Sequence, residues 1–246
     1  MKCLILAAGY ATRLYPLTEN FPKPLLKVGE KTILDWLIDD ISECGEVDEF
    51  IIISNHKYAP HFEKYAKERE GKITVIDDGT ETNEGRLGAV RDVAFAIDKL
   101  SLDSDMLVIA GDNVLDFSLC KFIEYAKEKN ATCVMRYYEK DEARLRKCGV
   151  ISLTDNDKIE FMEEKPSEPK SHWCCPPFYY YSKADAGRVN EGIAAGCGTD
   201  APGSYIAWLA KNTTVYAMEM PGKRYDIGNL ESYEKVKKEY RGIENA

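Results

Sequence analysis

The stretch Lys2-Cys3-Leu4-Ile5-Leu6-Ala7-Ala8-Gly9-Tyr10-Ala11-Thr12-Arg13-Leu14-Tyr15-Pro16-Leu17-Thr18, continued by Phe21-Pro22-Lys23-Pro24-Leu25-Leu26, decides the fold. It opens with a short apolar run rich in strand formers and passes directly into a loop of small residues. A buried strand that ends this way leaves backbone N–H groups free, and they form a concave nest that suits phosphate oxygens. Gly9 lacks a Cβ, so the backbone there can approach a ligand closely. Arg13 can fork onto phosphate oxygens and Lys23 can act as a point charge. The stretch therefore reads as a cradle for a nucleoside triphosphate. It is not a Walker loop, since no Gly-Lys-Ser/Thr follows at the required spacing, and no Gly-x-Gly-x-x-Gly is present.

Beyond this loop, Lys31 to Ile41 carries apolar residues at helical spacing and closes at Cys44-Gly45. Phe50 to Ile53 is a continuous apolar run, as expected of a strand buried on both faces. The pattern then predicts a helix over 61–69, a strand over 73–76, a loop over 77–88, a helix over 89–100, a strand over 106–110, a helix over 119–129 and a strand over 131–137. This alternation implies a doubly wound, mostly parallel sheet. From Gly149 the character changes. Short strand-like runs at 149–153, 159–163 and 178–181 predict a small additional β-region. Helices are expected over 184–195, 204–210 and 230–240, with a last strand over 215–218. The fold class is thus α/β, Rossmann-like, with a mixed and mostly parallel sheet. Residues 1–246 read as a single domain, in which 1–140 mainly bind nucleotide and 141–246 mainly bind the acceptor and supply the last helix.

The 246 residues suffice to bury roughly 70–75% of the unfolded surface, so no disulfide or metal is needed as a staple. A net charge of −9 argues against a nucleic-acid or anionic-membrane binder but leaves room for a local phosphate site. No stretch has the flanks of a signal peptide or the roughly 18 apolar residues of a membrane span, which predicts a cytoplasmic protein. The eight cysteines, with no Cys-x-x-Cys pair, are expected to be reduced and packed as small hydrophobes. His56, His61 and His172 show no metal-ligand spacing.

Ligands of open α/β sheets bind at the carboxyl ends of the strands. Three features fall there: the loop after the first strand, Gly85 to Ala89, and Gly111-Asp112-Asn113. Asp112 follows an apolar strand and would face the crevice, where Mg²⁺ takes one or two carboxylates plus substrate phosphates. A strand-end Asp can equally be a helix cap or turn former, and Asp226, before Ile227-Gly228, can be a turn residue.

Together these residues resemble the sugar-1-phosphate nucleotidylyltransferases, or nucleotide-sugar pyrophosphorylases. Leu6 to Thr18 stands for that family's L-A-A-G-x-G-T/S-R-L-x-P-L-T, and Phe21 to Leu26 for its x-P-K-P-L-L. Gly85-Arg86-Leu87-Gly88-Ala89 looks like the base loop and Gly111-Asp112-Asn113 like the metal site. Glu163-Glu164-Lys165-Pro166 looks like the sugar-phosphate motif, and Tyr225-Asp226-Ile227-Gly228 like the motif with the second metal ligand. Ser167 to Cys175 and the loop from Gly196 to Gly203 have no clear counterpart. The resemblance implies a Mg²⁺-dependent transfer of NMP from an NTP to a sugar 1-phosphate, with release of pyrophosphate. It puts the nucleotide on Ala8, Gly9, Tyr10, Ala11, Thr12, Arg13, Lys23, Gly85 and Gly88, the metal on Asp112 and Asp226, and the acceptor on Gly149, Glu164, Lys165 and Tyr179. Arg13, Lys23 and Asp112 would carry the catalysis.

Two positions depart from the family pattern. Ala11 replaces the second glycine, and its methyl group is expected to require a negative φ. Arg86 stands where many relatives have a small or neutral residue, and is expected to point to water rather than to a phosphate or an acidic acceptor. Neither the base nor the sugar is named by the sequence. Short members of the superfamily use CTP to activate phosphocholine or a phosphonate, and Tyr179-Tyr180-Tyr181 keeps that acceptor open. A non-catalytic nucleotide sensor has no need of both Asp112 and Asp226. No hexapeptide-repeat β-helix follows the last helix, so no fused acyltransferase is expected. Self-association into a homo-oligomer is compatible with the sequence.

Overall fold

The computed structural model describes residues 1–243. Its elements begin β1 (Lys2–Leu6), β2 (Lys27–Val28), β3 (Lys31–Thr32), α1 (Ile33–Glu43), β4 (Glu49–Ser54), α2 (Ala59–Glu68), β5 (Ile73–Asp77), α3 (Ala89–Leu100), β6 (Met106–Ala110), β7 (Asn113–Leu115), α4 (Cys120–Lys129) and β8 (Thr132–Tyr138). They continue α5 (Glu142–Leu145), β9 (Gly149–Leu153), β10 (Ile159–Glu164), β11 (Trp173–Cys175), β12 (Phe178–Tyr181), α6 (Lys183–Ala186), α7 (Val189–Ala194), α8 (Gly203–Asn212), β13 (Val215–Glu219), β14 (Arg224–Asp226) and α9 (Leu230–Glu239). Among the described residues, no helix is long and apolar enough to cross a membrane.

The chain divides into two compact units. The first comprises Met1–Arg86, Ala110–Lys121 and the segment from Pro221 onward. Its strands β1, β4 and β5 pair in parallel, in the register Cys3↔Phe50 and Phe50↔Ile73. Leu4, Ile5, Ile51, Ile52 and Ile53 are fully buried, as the unbroken apolar runs require. Helix α1 starts at Ile33 rather than Lys31, because Lys31 and Thr32 pair with Val28 and Lys27. Thr32 and Asp35 then close a capping box, and Ile33, Leu34, Leu37, Ile38 and Ile41 form the buried face. In α9, Tyr233 and Val236 pack, with Tyr240 beyond its end, on Leu14, Leu26, Val28, Ile33, Val114 and Ile227.

One expectation is overturned in this unit. Cys44 and Cys120 are not reduced thiols but form a disulfide. They lie 76 positions apart, and only the fold brings the end of α1 to the start of α4. There the Asp40 carboxylate also accepts the backbone N–H of Leu119 at 2.8 Å.

The second unit comprises Leu87–Ile109 and Phe122–Met220. Strand β12 lies antiparallel between β6 and β8, and β13 runs parallel to β8. The additional β-region is β11, β9 and β10, paired antiparallel beside β8. All four residues of β12 are buried. The segment 184–195 forms two short helices rather than one. Ser182 caps α6, and the buried Asp185 carboxylate turns back to Thr132 and Ser182, which ends the first helix at Gly187. Parallel strands with crossover helices in one unit and a mixed sheet in the other make this an α/β fold.

Candidate active site

In the first unit, a cavity of about 250 Å³ opens beside the end of β1, lined by residues that include Gly9, Ala11, Arg13, Lys23, Asp112 and Gly228. Strand β1 hands its chain to this loop while still tied to β4, through Ala7 N–H donating to Ile53 at 2.9 Å. The Ala8 carbonyl accepts Asn55 Nδ2 at 2.9 Å. The Tyr10 hydroxyl donates to the Thr80 carbonyl at 3.0 Å, and its ring is buried. A side chain at Gly9 would meet nothing within 4 Å, so this exposed backbone stands open to a ligand.

Ala11 differs from the expectation. Its φ is 47° and its ψ 41°, the left-handed conformation usually left to glycine. The conformation is fixed by what its carbonyl receives: the Leu14 N–H at 2.9 Å and the Thr18 hydroxyl at 2.8 Å. Thr12 and Arg13 then form a 3₁₀ turn and are exposed.

Lys23 sits in a second 3₁₀ turn, between Pro22 and Pro24, and is 7% exposed. Its Nζ donates to Asp112 Oδ2 at 2.7 Å. Asp112 is brought in by Gly111, whose N–H donates to Leu6 and where a Cβ would press on Ile5 Cγ2 at 3.0 Å. Burial works against the charge of Asp112. Lys23, and behind it Arg224, outweigh that and hold the carboxyl below the usual carboxylate range. Strands β7 and β14 set Asn113 directly opposite Asp226, so Asp112 adjoins the partner of the second predicted metal carboxylate. Asp226 is exposed and lies 3.8 Å from Arg224 Nη1, which also donates to Asn113 Oδ1 at 2.6 Å. Arg224 and Gly228 belong to this constellation. Gly228 stands in the motif quoted with Asp226, whereas Arg224 escapes the sequence reading, its only signal being that it precedes that motif.

The base-loop residues fall in both units. Gly85, in the first, is exposed, with its N–H donating to Thr82 Oγ1 at 3.1 Å. Arg86 folds back to donate to the Asn83 carbonyl at 2.8 Å. Gly88, in the second unit, is buried at φ 92°, and a Cβ there would stand 2.5 Å from the Thr199 carbonyl. The first turn of α3 is capped by the same loop: Ala89 N–H donates to Asp200 at 3.2 Å and Val90 N–H to Thr199 at 3.0 Å.

The predicted acceptor residues lie in the second unit. Gly149 and Glu164 are register partners on β9 and β10. Burial pushes the Glu164 carboxyl up to about 7, with Lys165 pulling the other way. Lys165 is exposed and held at φ 49°, its N–H donating to the Cys148 carbonyl at 2.9 Å. A non-glycine residue in this conformation is strained, and such strain collects at functional positions. Tyr179 is buried and stacks on Tyr181 with ring centroids 6.0 Å apart.

The chain is similar to known proteins. The sequence model of the family described as Nucleotidyl transferase matches residues 2–242. The chain is 28% identical over 228 residues to the bifunctional protein GlmU of Methanocaldococcus jannaschii, covering 93% of this chain and 51% of that one. It is 27% identical over 229 residues to the UTP–glucose-1-phosphate uridylyltransferase AglF of Haloferax volcanii, covering 93% and 91% respectively. It thus spans about half the length of the first relative and most of the second. A UDP-glucose pyrophosphorylase solved with UDP-glucose matches with a TM-score of 0.81 at 20% identity, over 97% of both chains. That likeness bears out the expected α/β, Rossmann-like fold. A match from residue 2 to residue 242 establishes that the chain belongs to the nucleotidyl transferase family.

Proposed function

We propose that the protein transfers a nucleotidyl group from a nucleoside triphosphate to the phosphate of a sugar 1-phosphate, forming a nucleoside diphosphate sugar and pyrophosphate. The observation that carries this reading is the cavity at the end of β1, where an open glycine backbone, Arg13 and the Lys23–Asp112 pair converge. In the transfer, an oxygen of the acceptor phosphate bonds to the α-phosphorus. The bond from the α-phosphorus to the bridging oxygen breaks, and its electron pair leaves with pyrophosphate. The nucleophile is already an anion, so no general base is required, and the protein contributes positioning and charge neutralisation.

Each residue has a part in that work. The backbone around Ala8, Gly9, Tyr10, Ala11 and Thr12 holds the triphosphate, and Gly85 and Gly88 hold the base or ribose. Arg13 neutralises the leaving pyrophosphate and Lys23 spans phosphates as charge shifts between them. Lys165 holds the acceptor phosphate, Glu164 accepts hydrogen bonds from sugar hydroxyls, and Gly149 and Tyr179 shape the acceptor pocket. Among the described residues no three His, Cys, Asp or Glu side chains gather as a cage. Two carboxylates, one held ionised by Lys23, suit a Mg²⁺ ion that takes its remaining ligands from phosphates and water. Asp112 and Asp226 would hold that ion, and when bound it neutralises phosphate charge.

A pyrophosphate-release screen of several NTPs against sugar 1-phosphates, phosphocholine and aminoethylphosphonate tests the reading. Turnover with a sugar 1-phosphate is expected. Lys165→Ala should raise the KM of the acceptor far more than that of the nucleotide. Turnover with phosphocholine or the phosphonate alone would replace the proposed acceptor.

A further inference from the structure

Glu164 ends β10 with its carboxylate in a slot walled by two glycines from different elements. A Cβ on Gly149, the first residue of β9, would stand 2.9 Å from Glu164 Oε2 and 2.8 Å from Met162 Cε. A Cβ on Gly203, the first residue of α8, would stand 2.2 Å from the same oxygen and 2.9 Å from the same methyl. Either wall would lose its fit with a single added carbon. Among the described residues, no hydrogen bond or ion pair ties the Glu164 carboxylate down. A half-buried carboxylate without a fixed partner carries a desolvation cost, and such groups are kept where a ligand uses them.

We propose that Gly203 is a positioning residue: its empty Cβ space lets α8 close on Glu164 and aim the carboxylate at the acceptor, with Gly149 as the opposite wall. The proposal rests on the reading of Glu164 as an acceptor ligand. It also gives a part to the loop from Gly196 to Gly203, which has no counterpart in the family pattern. That loop leads into α8, and so places Gly203 against Glu164. A side chain at 203 would swing the carboxylate out of the slot and change how it meets the acceptor, while the nucleotide residues stay as they are.

The test is the full-length chain carrying Gly203→Ala, assayed with the NTP and sugar 1-phosphate that turn over best. The acceptor KM should rise by about ten- to hundredfold, the loss of one hydrogen bond to a charged group, with the nucleotide KM within about twofold of wild type. In a Glu164→Gln background, whose own acceptor KM is raised, Gly203→Ala should add little, because the two residues act through one contact. An unchanged acceptor KM in Gly203→Ala, or an equal rise in both KM values, overturns the proposal and leaves the reading of Glu164 intact. An unchanged acceptor KM in Glu164→Gln, or no turnover of the wild type with any sugar 1-phosphate, overturns that reading and the proposal with it. If Gly203→Ala does not fold, the wild type decides. Carboxyl ¹³C NMR, with Glu164 assigned by the Glu164→Gln variant, should show it titrating at about 7 in the intact slot. The titratable groups facing it are Lys165, Cys148 and Cys175, and Gly203 on α8 brings none. Titration in the ordinary carboxylate range would mean that the slot is not closed.

Discussion

Ala11 shows how a single residue stores a cost inside the nucleotide loop. At φ 47° an alanine pays about 1–2 kcal/mol that a glycine does not. Glycine would in turn give back about 0.5–1 kcal/mol through a freer unfolded chain. Ala11→Gly should therefore raise stability by up to about 1.5 kcal/mol in urea unfolding, and a loss of stability would contradict a left-handed Ala11. The sequence made Ala11 visible as a departure but suggested a negative φ. The sign was illegible because the Thr18 hydroxyl that fixes it comes from seven residues further on. Arg13, Lys23 and Asp112 were legible, since each follows from what stands at the end of an apolar strand or in the loop behind it. Arg224 was not: an arginine before a turn has no pattern, and its place beside Asn113 depends on pairing across 111 positions.

Elements with strong periodicity came through almost unchanged. The helix over 89–100 and the strands over 106–110, 149–153 and 178–181 stand as the pattern predicts. The short pairs β2–β3 and β7–β14 carry no pattern of their own and exist only because they find each other. Capping partners are equally hidden. The first turn of α3 is satisfied by Thr199 and Asp200, more than a hundred residues away in sequence, and Gly88 makes the close approach possible. Gly88→Ala combines an unfavourable φ with a Cβ 2.5 Å from the Thr199 carbonyl. It should cost about 2–4 kcal/mol in urea unfolding. A cost within about 0.5 kcal/mol of zero, the range of an ordinary surface substitution, would mean that the two segments do not meet as described.

For the whole molecule, composition bounded the answer correctly in class but not in its thiol chemistry. Cysteine spacing gives no hint of a bond between Cys44 and Cys120, which only the crossover of α1 makes possible. Thiol titration of the unfolded, unreduced protein should find six free cysteines, and eight after reduction. Reduction should lower stability by about 2–4 kcal/mol, as for a long cross-linked loop. Eight thiols before reduction would mean that Cys44 and Cys120 are not bonded.

The central claim is that an acceptor phosphate attacks the α-phosphorus directly. It is tested by ³¹P NMR of a turnover mixture whose sugar 1-phosphate carries ¹⁸O at its non-bridging oxygens. Direct attack puts one label in the new bridge between the two phosphorus atoms of the product, and releases unlabelled pyrophosphate in equal amount. Nucleotide breakdown that proceeds without the acceptor, or label appearing in pyrophosphate, would contradict it.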